Sequence, residues 1–200
     1  FISIYAIDTG VSDPKKIITQ HAIVQNRIEG IGMQLINETA FYGSKGRLLG
    51  VNYEDNIDIQ PNDSGGHLLH ETGHQWCCRI GDEFVPNQNI SLGIIDNNMH
   101  FFEGLESPYQ CVTPMGAKYW IANGDGTYRQ SKECIKPQKY HPFLLYFMGL
   151  YDQSNFDFNR KFAVYYYDIN ARAVPYKQVS INDIIQVEGK RIERVDLSTT

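Results

Sequence analysis

The sequence predicts an α+β protein: a mixed N-terminal sheet with helices, followed by a loop-rich C-terminal part. Three observations carry this. β-rich runs occupy residues 1–7, 162–167 and 178–181. Helical patterns with clear stop signals occupy 67–80 and 142–150. Between them, residues 82–130 hold many Gly, Asn and Pro and show little helical period. Two hundred residues suit a single domain, here 1–200, with an N-terminal subdomain of 1–81 and a C-terminal subdomain of 82–200.

The elements follow in order. Residues 1–7 alternate weakly and read as a first strand. Asp13 and Pro14 supply a cap and a first turn for a helix running to about Glu29, with Gly30 and Gly32 as stops. Residues 33–36 form a short apolar run, a strand or the start of a loop. A turn at 43–46 precedes a strand at 48–52 and a second extended piece at 56–59. The stretch 61–66 is dense in turn and cap formers and introduces a helix of about four turns from His67 to Ile80, stopped by Gly81. Asn123 to Thr127 is a hairpin signal, and calcium is a lesser reading of it because the D-x-D-G spacing is missing. Residues 142–150 read as a buried helix ending at Gly149. A last strand at 178–181 leads into a short helix at 182–188, stopped by Gly189.

Hydrophobic content of 42% and charged content of 20% are those of a folded protein. A net charge of −5 with no basic block longer than a pair argues against nucleic acid as a partner. No apolar run is long enough to span a membrane. The chain starts at Phe1, inside a strand-like run, which suggests a processed or excised segment. Its four cysteines are Cys77, Cys78, Cys111 and Cys134. Their spacing does not suit a zinc ribbon. One or two disulfides are expected if the protein is exported, with Cys111–Cys134 the favoured pair and at least one of Cys77 and Cys78 a buried, small apolar residue. A secreted, periplasmic or cell-surface bacterial setting is the expectation.

The chemistry concentrates in His70-Glu71-Thr72-Gly73-His74, which spells H-E-x-x-H. Residues four apart on a helix share a face, so His70 and His74 can hold one Zn2+ between them. Glu71 is then placed to act as general base towards a water that the zinc activates. A third ligand must come from elsewhere.

These residues carry a resemblance. The order of strand, helix and strands, then H-E-x-G-H-x-W (His70 to Trp76) on a helix, then a loop-rich remainder, resembles the zincin metallopeptidase fold. Pro114-Met115-Gly116, Trp120, Asn123 to Thr127, the 142–150 helix and the 180–189 stretch further resemble a family of bacterial zincin-like proteins. The resemblance implies a zinc metallopeptidase, most simply an endopeptidase acting on a peptide or protein substrate. The compact metzincin extension is absent, because Cys77 and Ile80 stand where Gly and His or Asp would be required. Glu103 and Glu106 do not match the commonest gluzincin spacing. The family resemblance implies a His near position 100, and Met115 follows in what resembles a Met-turn. His100 is therefore the preferred third ligand, ahead of Glu103 or Glu106, with Asp96, His141 or a tyrosine behind them.

Other candidates receive plainer readings. His67 shares the face of His70 and His74 and reads as a supporting or solvent-facing residue. His21 reads as a surface residue of the first helix. His141, held extended by Pro142, suits a helix cap better than a ligand. Met115 reads equally as core and as support beneath a metal. Tyr119 and Tyr128 are minor candidates for donating to an oxyanion. The competing functional reading is a non-catalytic zincin-like module that binds a polypeptide or a glycan. A zinc hydrolase acting on another bond is a weaker third reading.

Overall fold

A computed structural model describes residues 1–6, 19–56, 66–77, 80, 84, 101–131, 139–152, 154–168 and 172–194. Among these residues the protein is mixed α and β, with four helices and several separate sheets, as an α+β chain requires. It divides into two compact units. The first comprises Phe1–Glu29, Met33–Trp76 and Ile192–Thr200, and the second Gly30–Gly32 and Cys77–Arg191.

The first unit is built on a three-stranded sheet of β1 (Ile2–Ala6), β6 (Gly50–Asn56) and β2 (Gln20–Ile23), in the order β1-β6-β2. β1 runs parallel to β6 and β2 antiparallel to it. Ser3, Asn52 and His21 fall opposite one another, forming a polar row across all three strands. Two short ribbons complete the unit. β3 (Gln25–Asn26) pairs with β5 (Ile36–Asn37), and β4 (Ile28–Glu29) pairs with β11 (Ile192–Glu193). Val24, Ile28, Met33 and Val51 are its buried apolar residues. Helix α1 (Gly66–Gly73) belongs to this unit.

The helix expected to run to Glu29 is corrected from residue 20 onwards. Its proposed start at Asp13-Pro14 lies outside the described residues, but residues 20–29 form β2, β3 and β4. Ile23, Val24 and Ile28 are β-branched and stiff at χ1, which suits a pleated strand. Pairing with β6 then satisfies the backbone groups that a helix would have satisfied internally. Gly30 ends the segment for a different reason from a helix stop. A Cβ there would lie 2.2 Å from the Lys190 carbonyl oxygen, and its φ is +77°. Only glycine permits both the approach and the dihedral.

The second unit carries the antiparallel sheet β7-β8-β10-β9, from β7 (Trp120–Ala122), β8 (Tyr128–Gln130), β9 (Phe162–Tyr167) and β10 (Ala173–Val179). The expected hairpin at 123–127 joins β7 to β8. Asp125 Oδ1 accepts from the Thr127 amide and hydroxyl, so the loop is closed by its own side chains. Trp120 and Tyr165 pack with Ala163 and Ala173, and Tyr128 and Tyr167 lie against them. Helix α2 (Phe101–Gly104) is short, whereas α3 (Pro142–Met148) and α4 (Ile181–Glu188) lie where the sequence puts them. α3 begins on His141, whose Nδ1 accepts from the Phe143 amide, and ends at left-handed Gly149. α4 begins with a reciprocal capping box between Ser180 and Asp183. Phe102, Leu105, Met115, Phe143, Leu144, Phe147, Ile181 and Ile184 are fully buried.

Cys77 and Cys111 are both buried and both disulfide-bonded. Cys134, the expected partner of Cys111, lies outside the described residues, as does Cys78. No described helix is long and apolar enough to cross a membrane.

Candidate metal centre

Helix α1 is shorter than its sequence pattern. It spans eight residues rather than about four turns. Its α-helical hydrogen bonding ends at Gly73, a residue costing ~1 kcal/mol relative to alanine in a helix. The chain then tightens. The amides of His74, Gln75 and Trp76 donate to the carbonyls three residues back, at 3.1, 3.2 and 3.1 Å. Three-residue bonding of this kind commonly closes an α-helix. His70 therefore sits on the helix and His74 on the tightened turn that follows it. Cys77 and Ile80, counted in the expected helix, are not helical, and Gly81 lies outside the described residues.

The two imidazoles nevertheless converge. His70 Nε2 and His74 Nε2 are 3.1 Å apart, with ring centroids at 4.8 Å and planes at 82°. That separation serves two arrangements. One ring can donate an N–H to the other, or both nitrogens can face a single cation. Two nitrogens sharing one tetrahedral zinc at ~2.0–2.1 Å would be about 3.3 Å apart, so the observed pair needs only a small adjustment to hold one ion. The donor set fits zinc in type as well. Among the described residues, no group of three His, Cys, Asp or Glu is arranged to hold a metal.

Glu71 is buried, and its Oε1 accepts from the Thr19 hydroxyl at 2.6 Å. One carboxylate oxygen is thus oriented by the residue immediately before β2. His67 lies on the same helix, half-buried.

The preferred third ligand, His100, lies outside the described residues, as does Asp96. The acidic alternatives have visible surroundings. Glu106 Oε2 accepts from the Ala163 amide at 3.1 Å, so that oxygen is tied to β9. Glu103 stands on α2 beside Gly116, where a Cβ would come within 3.1 Å of its Cγ. Gly116 has a φ of +90° and closes the turn that begins at Thr113 and contains Met115. Met115 is wholly buried. His141 is the cap of α3. It has no solvent exposure, and its Nε2–H donates to the Glu106 carbonyl at 3.1 Å. Burial pushes its pKa down to about 3. Tyr128 packs edge-on against Tyr165 at 5.1 Å, and Tyr119 is half-buried.

His21 is the residue the sequence reading placed wrongly. It is not a surface residue of a helix. It stands on β2, half-buried, with Nδ1 2.6 Å from Asn52 Oδ1 and Nε2 2.9 Å from Gln75 Oε1. Asn52 Nδ2 donates to the Thr72 hydroxyl at 3.0 Å, and Gln75 Nε2 donates to the Gln25 carbonyl at 2.9 Å. Thr19, His21, Asn52 and Gln75 thus surround the motif without belonging to it. The signal available for His21 was the β-branched residues around it, Ile17, Ile18, Thr19, Ile23 and Val24, which the Asp13-Pro14 helix cue outweighed.

No family model, no curated protein and no solved structure matches this chain.

Proposed function

We propose that the protein is a zinc-dependent metallopeptidase with a zincin-like fold, in which His70 and His74 hold the metal and Glu71 is the general base. The observation that carries this reading is the 3.1 Å convergence of the two Nε2 atoms from an H-E-x-x-H sequence, with the glutamate between them buried and oriented. His100 is the proposed third ligand, on the family resemblance. When bound, zinc would polarise the scissile carbonyl and make water acidic enough to attack at neutral pH.

The chain's own residues would supply the proton transfers and the orientation. Thr19 holds Glu71 Oε1. Oε2 is therefore the atom with which Glu71 would take the proton from the attacking water and hand it to the leaving amine. The disulfide-bonded state of Cys77 and Cys111 supports an exported or periplasmic setting. A peptide or protein is the proposed substrate.

Glu71→Gln tests the mechanism. The variant should retain the zinc of the wild type and lose peptide hydrolysis. Normal cleavage by that variant would refute the role of Glu71.

The second reading, a non-catalytic module for a polypeptide or glycan, is motivated by Cys77 and Ile80 standing where the compact motif would place Gly and a third ligand. Metal analysis of protein purified without chelators separates the two. Near-stoichiometric zinc supports the peptidase, and traces alone support the module.

A further inference from the structure

We propose that His21 is a positioning residue for the His70–His74 pair, acting through Gln75. This rests on the metal reading above. Three observations carry it.

The first is where the pair is vulnerable. His70 belongs to an α-helical turn, while His74 belongs to the tightened turn that follows Gly73. Two residues in one regular helix have their separation set by helix geometry. Here the separation also depends on how the helix tightens, and a turn with only three-residue bonds has weaker hydrogen-bond geometry. Something outside the turn must hold it.

The second is that the turn is held at its next residue. Gln75 is buried, and both ends of its amide are engaged by the strands below. Its NH2 donates to the Gln25 carbonyl, which leaves its oxygen facing His21. His21 must therefore present an N–H at Nε2, and its Nδ1 likewise donates to Asn52 Oδ1, the acceptor end of that amide. Asn52 completes the link by donating to Thr72. Thr72 and Gln75, three apart, fall on the side of the helix away from His70 and His74. The strands thus grip α1 on one side both before and after the change in its hydrogen bonding.

The third is that space is kept for this contact. A Cβ on Gly50 would lie 2.4 Å from His21 Cε1 and 2.7 Å from Gln75 Oε1. Glycine at that position admits the His21 ring between β6 and the turn. Phe1 then packs on both His21 and Trp76, with ring centroids at 6.0 and 5.7 Å.

Zinc affinity is the direct readout, measured by chelator competition on wild type, His21→Leu, Gln75→Leu and the double variant. Loss of a residue that orients a ligand typically costs 10–100-fold in metal affinity, and each single variant should fall in that range. Because both variants remove the His21–Gln75 contact, the loss in the double variant should fall well short of the product of the two single losses. The visible spectrum of the cobalt-substituted protein should change in the same variants. Val24→Ala, a buried apolar change in the same unit, is the control for general destabilisation. It should lower the melting temperature and leave affinity and spectrum as in wild type.

Wild-type affinity in His21→Leu or Gln75→Leu would overturn the proposal. So would a loss matched by Val24→Ala at equal destabilisation, and so would losses that multiply in the double variant. Should one single variant fail to fold, the other carries the test from the opposite end of the same hydrogen bond. A wild-type chain that takes up no zinc would instead refute the metal reading itself.

Discussion

His141 makes the stability of this protein pH-dependent in a way that can be calculated. Its ring is wholly buried among Phe102, Phe143 and Phe162, with centroids at 5.9, 4.9 and 4.6 Å. Nδ1 accepts from the Phe143 amide and Nε2–H donates to the Glu106 carbonyl. The neutral ring satisfies both partners. A second proton would set an Nδ1–H against the Phe143 N–H and add a buried charge. Burial is the main cause of the fall in pKa from 6.5 to about 3, with the nearby Arg160 charge acting in the same direction and the Glu106 contact opposing it.

The folded value lies below the unfolded one, so the unfolded chain binds the extra proton first. The stabilisation is complete above about pH 6.5 and is lost as pH falls towards about 3. At full extent the difference is ~5 kcal/mol. Between pH 8 and pH 5 the loss is about 2 kcal/mol. For a chain of this length that lowers the melting temperature by roughly 4–8 °C.

Urea unfolding at pH 8 and pH 5, on wild type and His141→Asn, isolates the effect. Asn can still accept from the Phe143 amide as a cap but does not titrate in this range. The variant should be less stable at pH 8 and should lack the 2 kcal/mol decline. Equal declines in the two proteins would refute the assignment of that proton to His141. Asp125, Asp152 and Asp183 are all held below the usual carboxylate value, mainly by hydrogen bonds from Thr127, Ser154 and Ser180. Their stabilisation is present above that value and is lost only as pH falls below it, so it does not confuse a comparison made at pH 5 and above.

Other expectations are briefer. Gly30→Ala should be among the most damaging single changes, costing more than ~2 kcal/mol, because its Cβ would meet the Lys190 carbonyl and its φ is positive; a melting temperature within a degree or so of wild type would contradict this. Ser180→Ala removes one half of the α4 capping box and should cost ~1 kcal/mol in urea unfolding. Gly149→Ala should cost ~1 kcal/mol or more, since the residue is left-handed and a Cβ would crowd the Arg191 guanidinium at 2.9 Å. Removing zinc with a chelator should lower the melting temperature of wild type and of Glu71→Gln alike, and no shift in either would argue against a bound metal.

The His70–His74 pair was legible from sequence because its spacing is local. Four residues of spacing bring two imidazoles to one face whether the turn is fully α-helical or tightened at its end. A third ligand for the proposed metal is not legible in this way, since it depends on how distant segments fold. The supporting residues were hidden for the same reason. Thr19, Asn52 and Gln75 lie far apart in the chain, and nothing at short range links Thr19 to Glu71 or His21 to Gln75.

Where neighbours along the chain supply the reason, sequence was sufficient. The first strand, the hairpin at 123–127, and α3 and α4 with their glycine stops all follow from propensity, turn chemistry and caps within a few residues. His141 as a cap followed from Pro142 in the same way. Where backbone groups find partners across the fold, tertiary structure decided. Residues 20–29 carry a helix-start signal ahead of them, yet pairing with β6, β5 and β11 makes them strands. The same pairing turned His21 from an expected surface residue into a contact of Gln75, just past the H-E-x-x-H residues. The H-E-x-x-H spacing is a property of the chain, whereas the 3.1 Å between His70 and His74 belongs to a turn whose next residue is tied to the strands beneath it.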